Sequence, residues 1–348
     1  VASDFDPQFY YQRSLAPEDR ERLPAYAALV DALGASEIGR ALLREVRPEQ
    51  RNPMLILAAL HFQALRGDPV LAPLYANIAG LEPQDFARDV VARLEECPAL
   101  VRDELHRATQ TNEIGRSAVL VALLAELCAR GVTDIHLIDV GTSMGLNLYP
   151  DFYFVNEPGH GALSLTMEEL SPHVTTHPLP RIHERIGIDL NPLSPNSPED
   201  VAWLRACLWP EEPQRAERFD AVLEAMKQWP IATRLAGSAV SRIDDALELC
   251  PPDAVPVIFH SWAAGYFSPD EQVRWREKVL AHVEVRAIWC YLEHPSSVPG
   301  LAPPAPDAES PRKGGTQIVV ALTGEEPAHW GWSHPHGRWI ALSPHLPK

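Results

Sequence analysis

The chain has 348 residues, 46% hydrophobic and 22% charged, enough for a buried core and unlike a fibrous repeat or a disordered chain. Thirty basic against 47 acidic residues leave a net charge of −17, so nucleic acid and anionic membrane surfaces are not expected partners. Five cysteines, none within about thirty residues of the next, exclude a CxxC zinc or redox pair; with no run of 18 apolar residues and with Asp4 and Asp6 where a signal peptide carries basic and then apolar residues, a reducing cytoplasm is the expected compartment.

Length divided by ~150 gives about two domains. From Phe5 to about Arg130 the apolar spacing is helical: Tyr26, Leu29, Val30 and Leu33, then Ile38, Leu42, Leu43 and Val46, then Leu55 to Leu65. Pro24, Pro48, Pro53, Pro69, Pro73 and Pro83 punctuate these segments at helix starts or stops. An all-helical N-terminal domain of five or six helices is expected over 1–110.

After Gly131 the pattern changes. Apolar runs at His136–Val140, Arg185–Leu190, Val255–His260, Ala287–Leu292, Gln317–Leu322 and Arg338–Leu342 read as strands. Helical stretches at Pro198–Trp209, Arg215–Trp229, Asp244–Leu249 and Pro269–Val283 lie between the earlier ones. This alternation predicts a parallel-paired α/β domain over 111–348. The last two strands, with only Gly324–Gly337 between them, are expected to form an antiparallel edge hairpin. The segment 151–184 reads as an insert in which Tyr153–Val155 and Ser164–Met167 pair as a hairpin across Pro158–Gly161. Pro295–Gly315, rich in Pro, Ser, Ala and Gly, is expected as a loop and a candidate lid.

The stretch richest in chemistry is Leu137-Ile-Asp-Val-Gly-Thr-Ser-Met-Gly-Leu-Asn147. A strand ending in an acid, followed by small residues and a helix start, brings backbone N–H groups and a positive dipole end to the carboxyl edge of the sheet. A dinucleotide turn needs glycines at 141, 143 and 146, and only the first is present. A nucleophile elbow, G-x-S-x-G, is matched letter for letter by Gly141–Gly145, with Ser143 as nucleophile and His260 as a following histidine. The helical sequence upstream, however, lacks the strands and the oxyanion-loop His-Gly pair of an α/β-hydrolase.

Asp139-x-Gly141-x-Ser143-x-Gly145 resembles the S-adenosylmethionine turn of class I methyltransferases with its middle glycine replaced by serine, a change tolerated where that position does not need φ > 0. Gly187-Ile-Asp189-Leu-Asn-Pro192 resembles the second strand of that fold, ending in the acid that takes the ribose hydroxyls. Ile243-Asp244-Asp245-Ala-Leu247 is similar to the Asp-Ala turn near the adenine, and Val257–Trp262 to the fourth strand, whose end faces the transferred methyl. At a finer level the chain resembles a bacterial family catalogued as domain-of-unknown-function family 2332. That likeness is carried by Thr111-Asn-Glu-Ile-Gly-Arg-Ser117, the Gly141–Asn147 turn, Asp189–Pro192 with Trp209-Pro210, and Phe259-His-Ser261 followed by Tyr266.

The resemblance implies an α/β fold with a Rossmann-like class I methyltransferase sheet, S-adenosylmethionine as cofactor and a small or medium-sized acceptor. It assigns cofactor binding to Asp139, Gly141, Ser143, Gly145, Asn147, Asp189 and Asp245, substrate binding to Asn112, Glu113, Arg116, Trp262 and Tyr266, and general-base catalysis to His260. Two features depart from the pattern: the acids Asp139 and Asp189 stand 50 positions apart where ~20 is usual, and Pro150 stops the first helix after barely two turns.

Bland roles are open to the same residues. Thr142 and Ser143 suit an N-cap, Asp189 a local turn, His260 a satisfied core histidine, and Glu113 a surface ion pair with Arg116. His173, His177 and His183, and His329, His334 and His336, lack the helical spacing with an acid that marks a zinc site. A non-enzymatic small-molecule- or protein-binding member of the same fold, and a serine hydrolase using Ser143, are the alternatives.

Overall fold

Proline sets most helix starts in the first part of the computed structural model, which describes residues 5–110, 112–170, 174–306, 309–343 and 346. The helices α1 (Pro7–Arg13), α2 (Pro17–Arg22), α3 (Pro24–Ala35), α5 (Pro53–Leu65) and α7 (Pro83–Glu96) each begin on a proline, whose missing N–H is one of the unpaired donors of a first turn. α4 (Glu37–Glu45) starts instead on a Ser36 cap, and α6 (Leu71–Ala76) follows Asp68, whose carboxylate accepts from the Leu71 N–H. α5 is buried on nearly every face, as its almost unbroken apolar sequence demands.

The chain divides into two compact units, Val1–Thr111 with Pro195–Asp220 and Asn112–Ser194 with Ala221–Lys348. The segment with α9 (Pro198–Ala206) and the start of α10 (Pro213–Met226) clusters with the helical unit. Trp203 of α9 packs edge-on against Phe62 of α5, and the Glu211 carboxylate caps α3 through the Ala25 and Tyr26 N–H groups, both at 2.8 Å. No sequence periodicity reports that kind of long-range pairing.

The second unit opens with α8 (Arg116–Ala129) and is built on a sheet whose strands, in chain order, are β1 (Asp134–Val140), β4 (Glu169–Leu170), β5 (Arg181–Asp189), β6 (Thr233–Ala236), β7 (Val255–Ser261), β8 (Ile288–Glu293), β9 (Thr316–Ala321), β10 (Ala328–Ser333) and β11 (Trp339–Leu342). Their spatial order is β4-β11-β10-β9-β8-β7-β1-β5-β6. The block β6-β5-β1-β7-β8 is parallel, and β9, β10 and β11 continue it antiparallel. The fold is thus a mixed α/β one, with a large, mostly parallel sheet and helices.

Helices α11 (Ala239–Glu248) and α12 (Pro269–Val285) supply Ile243, Ala246, Leu247, Trp275, Val279 and Val283 to a core with Ile138, Val140, Ile186, Ile188, Ile258, Trp289 and Tyr291. Alternation along each strand sends these side chains to one face, so the residues between them, Asp139 and Phe259 among them, point to the other. Burial of each Ile, Leu or Val contributes roughly 1.5–3 kcal/mol.

Several sequence expectations change here. Three strands go beyond the sequence expectation: β4 and β6, which are short, and β10, which lies inside the Gly324–Gly337 stretch expected as a loop. The aromatic residues of β10, Trp330 and Trp332, are buried on a strand bent by an irregularity between His329 and Gly331. The expected edge hairpin is therefore a three-strand meander in which β9 and β11 each pair β10. In the insert, β2 (Phe154–Val155) and β3 (Ser164–Leu165) do pair, but in parallel, because the connection winds through a 3-10 turn at Gly161–Leu163 before re-entering. The proposed lid is anchored at its start: Val298 and Leu301 are buried in the core, and Gln272 bonds both the Ser297 carbonyl and the Gly300 N–H.

Candidate functional site

β1 lies between β5 and β7, and the crossovers leave it in opposite directions, first to β5 and β6, then to β7 and β8. Open α/β sheets bind ligands at such a switch point, beyond the carboxyl ends of the strands. Asp139, Gly141 and Ser143 stand at the end of β1, Asp189 at the end of β5, Ser261 and Trp262 at the end of β7, and Glu293 at the end of β8.

The turn after β1 is held by its neighbours. Gly141 has φ 76°, and a Cβ there would meet the Ala263 methyl at 2.5 Å, so both the backbone and the packing demand glycine. Ser143 has φ 52° and Gly145 85°. The condition under which serine replaces glycine freely at position 143, a backbone that does not need φ > 0, is not met: a serine occupies the left-handed region where the related motif has glycine. The Asp189 carboxylate sustains that conformation, accepting the Ser143 N–H at 2.8 Å through Oδ2 and the Asn191 N–H at 2.9 Å through Oδ1. The expected α-helix after the turn is absent. Only 3-10 turns at Leu146–Leu148 and Pro150–Phe152 follow, since Pro150 cannot continue an α-helical ladder, and with them the expected helix-dipole contribution is lost.

Asp139 is 3% exposed, and its Oδ2 has no hydrogen-bond partner among the described residues. Burial, and secondarily the Asp189 charge, push its carboxyl up to about 7, against the pull of Thr142 and Arg116. A carboxyl poised at neutral pH beside a solvent-exposed glycine can hold a proton or face a cationic group.

The segment 112–117 closes around this turn. Asn112 Oδ1 accepts the Leu146 N–H at 3.0 Å, and Asn147 Oδ1 accepts the Ser117 hydroxyl at 2.7 Å. Glu113 accepts the Gly115 N–H and lies 3.3 Å from His336 Nδ1. Arg116 donates to the carbonyls of Pro335 and Ser261, and its guanidinium lies over the Trp262 ring. The surface ion pair between Glu113 and Arg116 is thus replaced by contacts to the β10–β11 turn. Both side chains are buried.

His260 corrects an expectation. The resemblance assigns general-base catalysis to it at a strand end facing the transferred methyl, yet the imidazole is 0% exposed and stacks on Tyr291. Its Nδ1 lies 2.8 Å from Glu293 Oε1, and the Trp275 indole N–H donates to its Nε2 at 3.5 Å. Alternation sends His260 to the same face as Ile258, under α12, so the lone pair that a general base would use is occupied. The neighbouring β8 acid is the residue that sequence reasoning missed. Glu293, 1% exposed, also accepts the Ala263 and Ala264 N–H groups at 2.9 Å each. The signal in the sequence is a charged residue directly after the Ala287–Leu292 apolar run, and the strand extends one position further to include it.

A family model described as "Uncharacterized protein conserved in bacteria (DUF2332)" matches residues 11–341. The chain belongs to this family. Comparison with curated proteins and with solved structures finds no match.

In this DUF2332 chain most of the expected site residues meet at the carboxyl edge, but two stand apart. Asp245 lies two turns into α11, half-exposed and paired with Arg242 at 2.6 Å, because the strand preceding that helix is β6 and the turn after β6 is Gly237-Ser238. Tyr266 is 70% exposed in a 3-10 turn beyond Trp262. Trp262 has φ 54° and is fixed by its N–H to the Leu292 carbonyl and its indole to Thr316. Thr111 and His173 lie outside the described residues. His177 pairs with Glu157 and His183 with Asp134.

Proposed function

We propose that this DUF2332 chain binds S-adenosylmethionine at the carboxyl edge of its sheet and is a methyltransferase acting on a small or medium-sized acceptor. The observation that carries this reading is the pair of acids at the ends of adjacent parallel strands, Asp139 with an unmet, buried oxygen and Asp189 beside it. The parallel order β6-β5-β1-β7-β8 supports a Rossmann-like methyltransferase sheet. S-adenosylmethionine, when bound, supplies an electrophilic methyl group on a cationic sulfonium. The residues fit it in their acceptors: Asp139 offers an uncompensated oxygen to positive charge, and Asp189 is only partly buried, with acceptor capacity beyond its two backbone bonds for ribose hydroxyls. They do not offer the Ser143 N–H, which Asp189 consumes. A proton from the acceptor would go to Asp139 rather than to His260, because the Asp139 carboxyl is poised near neutrality and His260 is sealed.

Calorimetry with S-adenosylhomocysteine tests this. The wild type is expected to bind, and Asp189→Ala to bind at least about tenfold more weakly from the loss of charged hydrogen bonds. No binding at millimolar ligand overturns the reading.

The positive φ of Ser143 favours one second reading, a serine hydrolase, since the nucleophile of a strand-end elbow is strained in the same sense. A fluorophosphonate probe would then label the wild type and not Ser143→Ala. Absence of labelling in the folded protein removes it.

A further inference from the structure

We propose that the helical unit carries a binding site of its own, for a small organic amine, in the cavity at the C-terminal end of α5. The cavity is a cleft open to solvent, of about 380 Å³, and its polar wall consists of Gln63 and Arg66 at the end of α5, Asp68 beyond them, and Asp103 and Glu104 on the 3-10 segment Pro98–Glu104. Volumes of this size hold small ligands.

Glu104 decides what the cavity accepts. It is 4% exposed, and its Oε2 has no hydrogen-bond partner among the described residues. The guanidinium beside it does not close the gap: Arg66 Nη1 stops 3.9 Å from Oε1, and its side chain lies over the Phe62 ring. Arg107, which also attracts Glu104, is taken up by Glu199 and by the faces of Phe62 and Trp203. A buried carboxylate oxygen left unmet costs ~1–3 kcal/mol, which an entering N–H donor recovers.

The charge around it selects a cation. Asp68 is already neutralised, bound by Arg93 at 2.7 Å and spent on capping α6 through Val70 and Leu71. Asp103 and Glu104 then share the cleft wall with one cation, Arg66, while Arg107 attracts Glu104 from outside that wall, and the carbonyl end of α5 adds partial negative charge. A metal is the wrong cation. Among the described residues no three His, Cys, Asp or Glu side chains are placed to share one, and two acids on adjacent positions do not form the oxygen cage that calcium or magnesium requires. An ammonium group has three donors on a compact charge and finds acceptors in the Glu104 and Asp103 carboxylates and in the amide oxygen of Gln63, whose N–H side already bonds Glu104.

Calorimetric titration of the full chain with 1,4-diaminobutane in ~0.1 M sodium chloride tests the site, independently of anything bound by the other unit. Saturable one-to-one binding is expected, with a Kd below about 1 mM. Asp103→Asn, at an exposed position, and Glu104→Gln are each expected to weaken it at least about fivefold, whereas Arg66→Ala, which removes the competing cation, leaves it unchanged or tighter. Should Glu104→Gln fail to fold, Asp103→Asn and Arg66→Ala decide. No saturable binding by the wild type up to about 10 mM, or equal affinity in wild type and Asp103→Asn, overturns the proposal.

Discussion

Asp139 shows how burial converts an ordinary carboxylate into a titrating group near pH 7. Its unfolded carboxyl loses a proton near 3.8 and its folded one near 7, so between those values the native state holds more protons than the unfolded state. Its contribution to stability therefore falls as pH rises from about 4 to about 7 and is level above that, a change on the order of a few kcal/mol. Asp139→Asn, which mimics the protonated form, is expected to melt higher than the wild type at pH 8 and to lose that advantage near pH 4; equal melting temperatures at pH 8 would contradict the poised carboxyl. Glu293 is the opposite case, a buried acid with its partners in place. Glu293→Ala leaves the Ala263 and Ala264 N–H groups and the His260 ring N–H unmet, so urea denaturation should register a loss of about 3–5 kcal/mol. A loss below about 1 kcal/mol would mean that water replaces it.

At the scale of elements, the turn after β1 stores backbone strain where the sheet opens. Ser143 pays a steric cost of roughly 1 kcal/mol for its left-handed backbone, and the Asp189 bond to its N–H offsets it. Ser143→Gly is expected to stabilise the protein by about 0.5–1 kcal/mol in urea denaturation. Gly141→Ala is expected to destabilise it by more than that, through positive φ and collision with Ala263 together. If both variants shift the midpoint equally, the turn is not as rigid as its hydrogen bonds indicate. The nearby β7 turn follows the same logic, with Trp262 at φ 54° and a buried carboxylate under the next two residues.

Across the whole molecule the two units respond to acid through different groups. His61 in α5 is buried against Tyr75, and burial lowers its ring to about 4 from 6.5. The unfolded chain then binds the proton first, so this contribution is present above pH 6.5 and lost as pH falls towards 4, the reverse of Asp139. Hydrogen exchange at pH 7 and pH 5 is expected to show α5 amides losing protection on acidification. His61→Gln, which keeps a donor for the Ala206 carbonyl, should reduce that loss; an unchanged loss would assign it to other groups. No helix among the described residues is long and apolar enough to cross a membrane.

What the sequence alone determined was set by local chemistry. Prolines marked helix starts at Pro24, Pro53 and Pro83, apolar runs marked the central parallel strands, and the acid-glycine turn at 139–145 marked the sheet edge. Both prolines and periodicity act within a few residues, so they can be read without knowing what lies across the fold. Tertiary structure alone decided the rest, because it depends on partners far along the chain. It assigned Trp203 and Glu211 to the helical unit through Phe62 and α3. It made the Ala328–Ser333 stretch a strand by giving its tryptophans a sheet to lie in. It turned His260 inward, where Glu293, Trp275 and Tyr291 occupy both ring nitrogens and one ring face, and left Asp139 with the unmet oxygen at the crevice. A histidine or an aspartate looks the same in the sequence in either setting; burial and the partner across the sheet decide which of them is spent on the fold and which stays available for chemistry.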